Sequence, residues 1–188
     1  MDFRDARSMK AVLVPHCELN QNARLAACAE RPAAVTEVVA GLMERQIGLI
    51  QMPCPELMVI GLDREHVNIR SALESRPARA ALRAMARDLV YQIRQYLAGG
   101  VRVLGVIGKN GSPSCGVDET WRFERGPGRG AFIEELAAEL GEQGVDLPIA
   151  GGLDTEPDKI LAIVDAWDAS AEAADWHRRP AGPADHTG

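Results

Sequence analysis

Val101-Arg102-Val103-Leu104-Gly105-Val106-Ile107 runs straight into Gly108-Lys109-Asn110-Gly111-Ser112-Pro113-Ser114-Cys115-Gly116, and this stretch decides the fold. Its first half is almost continuously apolar, as a strand buried on both faces of a parallel sheet must be. Its second half is a turn of small and polar residues that ends on a cysteine. Just upstream, Pro77 suits the first turn of a helix in which Leu82, Met85, Leu89, Ile93 and Tyr96 recur at three or four residues. Gly99-Gly100 then supplies a left-handed C-terminal cap.

The same phrase occurs twice more. An apolar run from Lys10 to Val14 enters Pro15-His16-Cys17, and Gly48 to Met52 enters Pro53-Cys54-Pro55-Glu56. A helix following Pro32 presents Val35, Val38, Val39, Leu42 and Met43 as its apolar stripe. Gly130 to Leu140 forms another, with Phe132, Leu136 and Leu140 inward and Gly141 or Gly144 ending it. A short strand, Leu147 to Ala150, precedes a last helix starting near Thr155, whose hydroxyl can cap the Asp158 amide, with Ile160, Leu161, Val164 and Trp167 buried. Strands alternating with helices predict an α/β fold: a single Rossmann-like domain with a mainly parallel sheet flanked by helices. That domain covers 1–175, and the Arg-Pro-Gly-rich segment 176–188 reads as a disordered tail. Leu57 to Ser75 and Gly116 to Arg129 fit no regular element. Both follow a cysteine turn, and both are expected to wall a site.

The 188 residues carry a net charge of −6, with 46% hydrophobic and 26% charged residues. An acidic chain lacks the basic face that nucleic acid or an anionic membrane requires. The start, Met-Asp-Phe-Arg-Asp-Ala-Arg, has no apolar core of a secretory signal, so a cytoplasmic location is expected. In that reducing compartment the four cysteines do not read as disulfides, and no Cys-x-x-Cys pair is present.

Ligands of open parallel sheets bind at the carboxyl edge of the strands. If the three cysteine-ended runs are neighbours there, Cys17, Cys54 and Cys115 converge. One cysteine at a strand end is most often a small core residue, but three with proline-marked turns point to a thiolate metal centre with an open position. Cys28, in the alanine-rich run Arg24-Leu-Ala-Ala-Cys-Ala-Glu, reads instead as a helical core residue. Three thiolates suit zinc completed by His or water, or a [4Fe–4S] cluster with one iron free of protein ligands. His16 adjoins Cys17 and on an extended chain would point the other way, which favours iron–sulfur. A zinc-stabilised binding module and a metal-free hydrolase with Cys115 as nucleophile remain alternatives.

Pro-His-Cys-Glu-Leu-Asn-Gln-Asn (15–22), Gln-Met-Pro-Cys-Pro-Glu-Leu…Gly-Leu-Asp-Arg (51–64) and Gly-Lys-Asn-Gly-Ser-Pro-Ser-Cys-Gly-Val (108–117) resemble the TudS-type thiouracil desulfidases, and more closely a related branch of desulfidases. The resemblance spans roughly Lys10 to Val164. It implies a [4Fe–4S] cluster on Cys17, Cys54 and Cys115 and hydrolytic, non-redox removal of sulfur from a small thiocarbonyl compound, a thio-nucleobase or thioamide. Glu56 and Ser112 match catalytic positions. Asn20, Arg64, Asn110 and Ser114 are candidates to hold substrate. The chain departs from the simpler thiouracil enzymes around Val59-Ile60-Gly61-Leu62-Asp63 and in its Asn- and Gln-rich first cysteine turn, which leaves the substrate open between thiouracil and another thiolated compound. The expected partner is a small thiolated substrate, with a homodimer left open.

Overall fold

The computed structural model describes residues 5–65 and 69–173. The tail at 176–188 and the domain boundary at 175 lie outside the described residues. Four parallel strands, β1 (Lys10–Pro15), β2 (Gly48–Met52), β3 (Arg102–Lys109) and β6 (Ile149–Gly152), form a sheet in the order β2-β1-β3-β6. A separate antiparallel hairpin pairs β4 (Glu119–Trp121) with β5 (Arg125–Pro127).

Strand alternation sends side chains to two cores. Ala11 and Leu13 of β1 pack with Leu82, Leu89 and Ile93 of α5 (Arg76–Ala98) and Phe132, Leu136 and Leu140 of α6 (Ala131–Glu142). Val12 and Val14 face the other way, onto Val38 and Leu42 of α2 (Thr36–Glu44) and Ile160 and Val164 of α7 (Pro157–Ala173). Burying a Val or Leu side chain contributes about 1.5–3 kcal/mol, and both faces of β1 and β3 are filled this way. On β3 the alternation slips. Val103 and Val106 share one core while Leu104 and Ile107 share the other, because the β1–β3 register shifts between Ala11 and Leu13. The bulged Gly105 has no room for a Cβ, since Trp167 and the Pro148 carbonyl lie against it.

The chain runs from β1 to β2 on one side and returns to β3 on the other. The strand order therefore reverses between β1 and β3, and a crevice opens there at the carboxyl edge. This is the Rossmann-like arrangement expected.

Several details differ. Met43 is 64% exposed and Tyr96 36%, so each stripe is narrower than the apolar letters suggest. Ala78, Leu82, Ala86, Leu89, Val90 and Ile93 form the buried face of α5. Gly100, at φ +83°, is the left-handed residue of its cap. The strand expected at Leu147–Ala150 starts two residues later, and Pro148 instead accepts the Val106 amide. The last helix begins at Pro157, with the Glu156 carbonyl receiving the Lys159 amide, and Thr155 is exposed rather than a cap. The two stretches expected to be irregular contain short elements: α3 (Pro55–Val59), α4 (Ile69–Glu74) and the β4–β5 hairpin. Helices of five and six residues are too short to display a period.

Candidate functional site

Each cysteine is placed by a different backbone device. Pro15 ends β1, and the chain turns at once into α1 (His16–Leu19), which carries Cys17. Gln21 pins this turn, donating from Nε2 to the Cys17 carbonyl at 2.8 Å and accepting from the Glu30 amide at 2.9 Å. After β2, Cys54 stands as the N-cap of α3, with Pro55 in the first turn, and its Sγ accepts from the Leu57 amide at 3.5 Å. After β3, Ser112 organises the loop. Its Oγ accepts from the amides of Ser114 at 3.2 Å and Cys115 at 3.0 Å, while its carbonyl accepts from the Gly116 amide at 3.1 Å. Gly116 tolerates no side chain, because a Cβ would meet the Glu119 and Ser112 carbonyls. The loop is thus closed on itself with Cys115 only 6% exposed.

Cys17, Cys54 and Cys115 line one cavity of about 390 Å³, within the ordinary size range of ligand pockets. Burial pushes all three thiols up, Cys115 well up. Cys115 also feels the charges of Cys17 and Cys54, so the three titrate as neighbours. The Ser114 hydroxyl, 3.6 Å from Cys115 Sγ, partly offsets the effect there, and Lys109 offsets it at Cys17. Among the described residues no three His, Cys, Asp or Glu side chains stand ready to hold a metal ion, so a metal would have to draw them together.

Glu56 is the second centre of the site. It is 7% exposed and accepts three side-chain hydrogen bonds: Ser114 Oγ at 2.6 Å and Ser112 Oγ at 3.2 Å on Oε1, and Arg64 Nε at 3.1 Å on Oε2. Acceptance at both oxygens is the bonding pattern of a carboxylate. Arg64 is held in turn, donating at 2.8 Å to the carbonyls of Gly61 and Ala23. It lines the cavity as a brace for Glu56.

The remaining candidates are placed differently. The Asn110 Oδ1 accepts from the amides of Val117 and Asp118, its Nδ2 donates to Asp118, and the side chain packs on Gly151; it shapes the loop. Asn20 is exposed, caps the turn at Gln21–Ala23 by accepting from Asn22, and does not line the cavity.

Two sequence-based readings are corrected. Cys28 is neither helical nor core: it sits in a loop beside the left-handed Ala27 and lines the same cavity, half-buried. His16 does not point away from Cys17. The chain there is helical rather than extended, so both residues line the cavity, and His16 Nε2 is buried without a hydrogen-bond partner.

A buried ionic group escaped sequence reading. Lys109 Nζ, at the end of β3, donates to Glu18 Oε1 at 3.1 Å and pairs with Asp154, which also accepts from Arg24 at 3.2 Å. Glu18, Lys109 and Asp154 are 1%, 5% and 3% exposed. Burial lowers the Lys109 ammonium from its usual range, against the pull of Glu18. The one legible signal was a charged residue closing an otherwise apolar strand.

The two segments expected to wall the site do so. Arg64 comes from the first, and Trp121 and Arg125 of the hairpin come from the second. Among the described residues no helix is long and apolar enough to cross a membrane.

Comparison with known proteins adds little about activity. No family model and no solved structure matches the chain. An uncharacterized protein of Methanocaldococcus jannaschii is 25% identical over 134 residues, which cover 71% of this chain and 80% of that relative.

Proposed function

We propose that the protein is an iron–sulfur-dependent desulfidase that hydrolyses the C=S bond of a small thiocarbonyl compound. The observation that carries this reading is the meeting of Cys17, Cys54 and Cys115, from three strand ends, on one cavity beside the buried Glu56.

The donor set suits the group. Thiols held up by burial are poor free nucleophiles, which weighs against the metal-free hydrolase. A metal reverses that penalty, because thiolate ligands deprotonate on binding. The hydrogen bond that the Leu57 amide already aims at Cys54 is of the kind that tunes cluster sulfurs. Bound there, a [4Fe–4S] cluster would supply an iron without a protein ligand, Lewis-acidic and thiophilic toward the substrate sulfur.

The chain's own residues supply the proton chemistry. Water adds to the thiocarbonyl carbon, the C–S bond breaks to leave the carbonyl product, and sulfur leaves as hydrosulfide; the second water proton passes to solvent from the hydroxyl left on carbon, and there is no net change in oxidation state. Glu56 takes the proton from that water and returns it to the leaving sulfur, general acid–base work for which about 10²–10⁴-fold is typical. Ser112 and Ser114 hold Oε1 and Arg64 holds Oε2, so the carboxylate keeps one orientation.

Anaerobically purified protein is expected to be brown, with about four iron and about four labile sulfide per chain, as such a cluster contains, and to convert 2-thiouracil or 4-thiouracil to uracil with release of sulfide. Colourless protein after anaerobic reconstitution sinks the reading. His16 favours one competitor: its partnerless Nε2 could complete a Cys₃His zinc site. Stoichiometric zinc without visible absorption would establish that site instead.

A further inference from the structure

The segment between α3 and α5 carries two buried arginines. Arg64 braces Glu56. Arg70, the second residue of α4, is just as deeply buried, yet it lies outside the cavity lining. Its Nε donates to Glu74 at 2.7 Å and its Nη2 to Glu134 at 2.8 Å. Its Nη1 donates to the Arg129 carbonyl at 2.9 Å and to the Pro113 carbonyl at 3.4 Å.

The two carboxylates do not account for this burial. Glu74 is exposed and Glu134 half-exposed, and Arg79 also donates to Glu134, at 2.7 Å. Pairs that water can reach add little stability, whereas taking a guanidinium out of water is costly. The two carbonyls are what a surface pair would not need.

Their positions are informative. Pro113 stands two residues before Cys115, and Arg129 stands directly before Gly130, the N-cap of α6. The cysteine loop rests its outer side on the first turn of that helix. The Pro113 carbonyl also accepts from the Ala131 amide at 2.9 Å, and the Ser114 carbonyl accepts from the amides of Phe132 at 2.9 Å and Ile133 at 3.3 Å. All three are main-chain bonds. A single side-chain nitrogen, Arg70 Nη1, spans the loop and the approach to the helix beneath it. A lysine could not keep two carbonyls and two carboxylates at once, because it lacks the fixed fork of donors.

We propose that Arg70 is a positioning residue of the cavity: it clips the cysteine loop to the start of α6 and so fixes where Cys115 stands. It acts through Pro113 and Arg129. The two arginines then divide the work, Arg64 setting the carboxylate that follows Cys54 and Arg70 setting the third cysteine. This goes beyond the desulfidase reading and does not rest on it, since the clip is made of protein groups alone.

The test is hydrogen–deuterium exchange on the full-length protein as purified, read peptide by peptide, with Arg79→Met as the control. Arg79 pairs with Glu134 and, at 3.1 Å, with Glu135, but it bonds neither Pro113 nor Arg129. In Arg70→Met the amides from Ser112 to Gly116 are expected to exchange at least about tenfold faster, because the opening that exposes them is local. In Arg79→Met the same amides should stay within about twofold of wild type, as should those of β1 in both variants. Arg70→Lys, which keeps the charge and loses the reach to both carbonyls, is measured alongside and carries the same expectation should the methionine variant not fold. Iodoacetamide labelling of the same samples, scored cysteine by cysteine, should quicken at Cys115 and not at Cys28, whose loop Arg70 does not bond. An unchanged loop in a folded Arg70 variant overturns the inference, and so does an equal rise in Arg79→Met, which would make the effect a general loosening of the α4–α6 side.

Discussion

Ser114 donates its hydroxyl to Glu56 Oε1 at 2.6 Å, joining the loop after β3 to the helix after β2 across 58 positions of sequence. The serine turn that closes around Cys115 therefore also aims the carboxylate that follows Cys54. In the proposed reading, ligand placement and acid–base placement are one construction. Glu56→Gln keeps the side-chain length and an oxygen for both serines, but it removes the base and leaves the Arg64 guanidinium facing an amide. Desulfidation should fall by about 10²–10⁴-fold while iron and sulfide contents stay at wild-type values. Equal loss of iron and activity would instead make Glu56 a structural residue.

Arg64 should behave in the opposite way. Its side chain is 3% exposed and pairs with Glu56, 9% exposed, while holding two backbone carbonyls. Arg64→Ala leaves a buried carboxylate without its cation, a change that typically costs about 3–5 kcal/mol. Arg64→Lys retains the charge but cannot reproduce three directed bonds. A chemical denaturation series should rank wild type above Lys and Lys above Ala. A stability for the alanine variant equal to wild type would show that the pair does not hold the site together.

The strand ends and their cysteines were legible because two simple signals coincided there: continuous apolar runs, which a doubly covered parallel sheet demands, and proline or glycine immediately after them. Helix α5 was legible because 23 residues are long enough to repeat a period several times. The ionic group around Lys109 was not, since Glu18 and Lys109 are 91 positions apart and single charged residues carry no periodicity. His16 was misread for a local reason. The chain becomes helical directly after Pro15, so the extended-chain rule that would turn neighbours apart does not apply. Cys28 was misread because alanine-rich composition suggests helix, whereas this loop is fastened from outside by Gln21.

Gly116 gives a prediction about the loop alone. A Cβ there would stand 2.8 Å from the Ser112 carbonyl and press still harder on the Glu119 carbonyl, both of them backbone. Gly116→Ala should therefore displace the Ser112–Cys115 turn, with a stability loss of about 1–3 kcal/mol, the usual penalty for overpacking. Iron retention should fall with it. A crystal structure of the variant with the turn unmoved would contradict this.

Acid should loosen the same loop from behind. Arg70, 5% exposed, donates to the Arg129 carbonyl at 2.9 Å and to Glu134 at 2.8 Å, and Arg79 donates to Glu134 at 2.7 Å. Burial raises the Glu134 carboxyl, but the two guanidinium hydrogen bonds outweigh it, and the group lies below its ordinary value. A carboxyl lowered on folding contributes stability above its unfolded pKa of about 4.3, and that contribution is lost as pH falls through the folded value. Glu134→Gln should therefore be less stable than wild type at neutral pH, with the gap narrowing as pH drops below about 4.3. A gap that stays constant with pH would mean the carboxyl does not titrate differently in the two states.

The cysteine series tests the metal centre most directly. Cys17→Ser, Cys54→Ser and Cys115→Ser should each lose both colour and activity, because each removes one of three thiolates that no other side chain in the proposed set replaces. Cys28→Ser should keep both, since Cys28 lies on a loop rather than at a strand end, although it lines the same cavity. Visible spectra and iron assays on the four anaerobic variants make the comparison. Loss of the cluster in Cys28→Ser would make the site a four-cysteine centre with no open iron, and activity surviving in any of the other three would remove that cysteine from the ligand set.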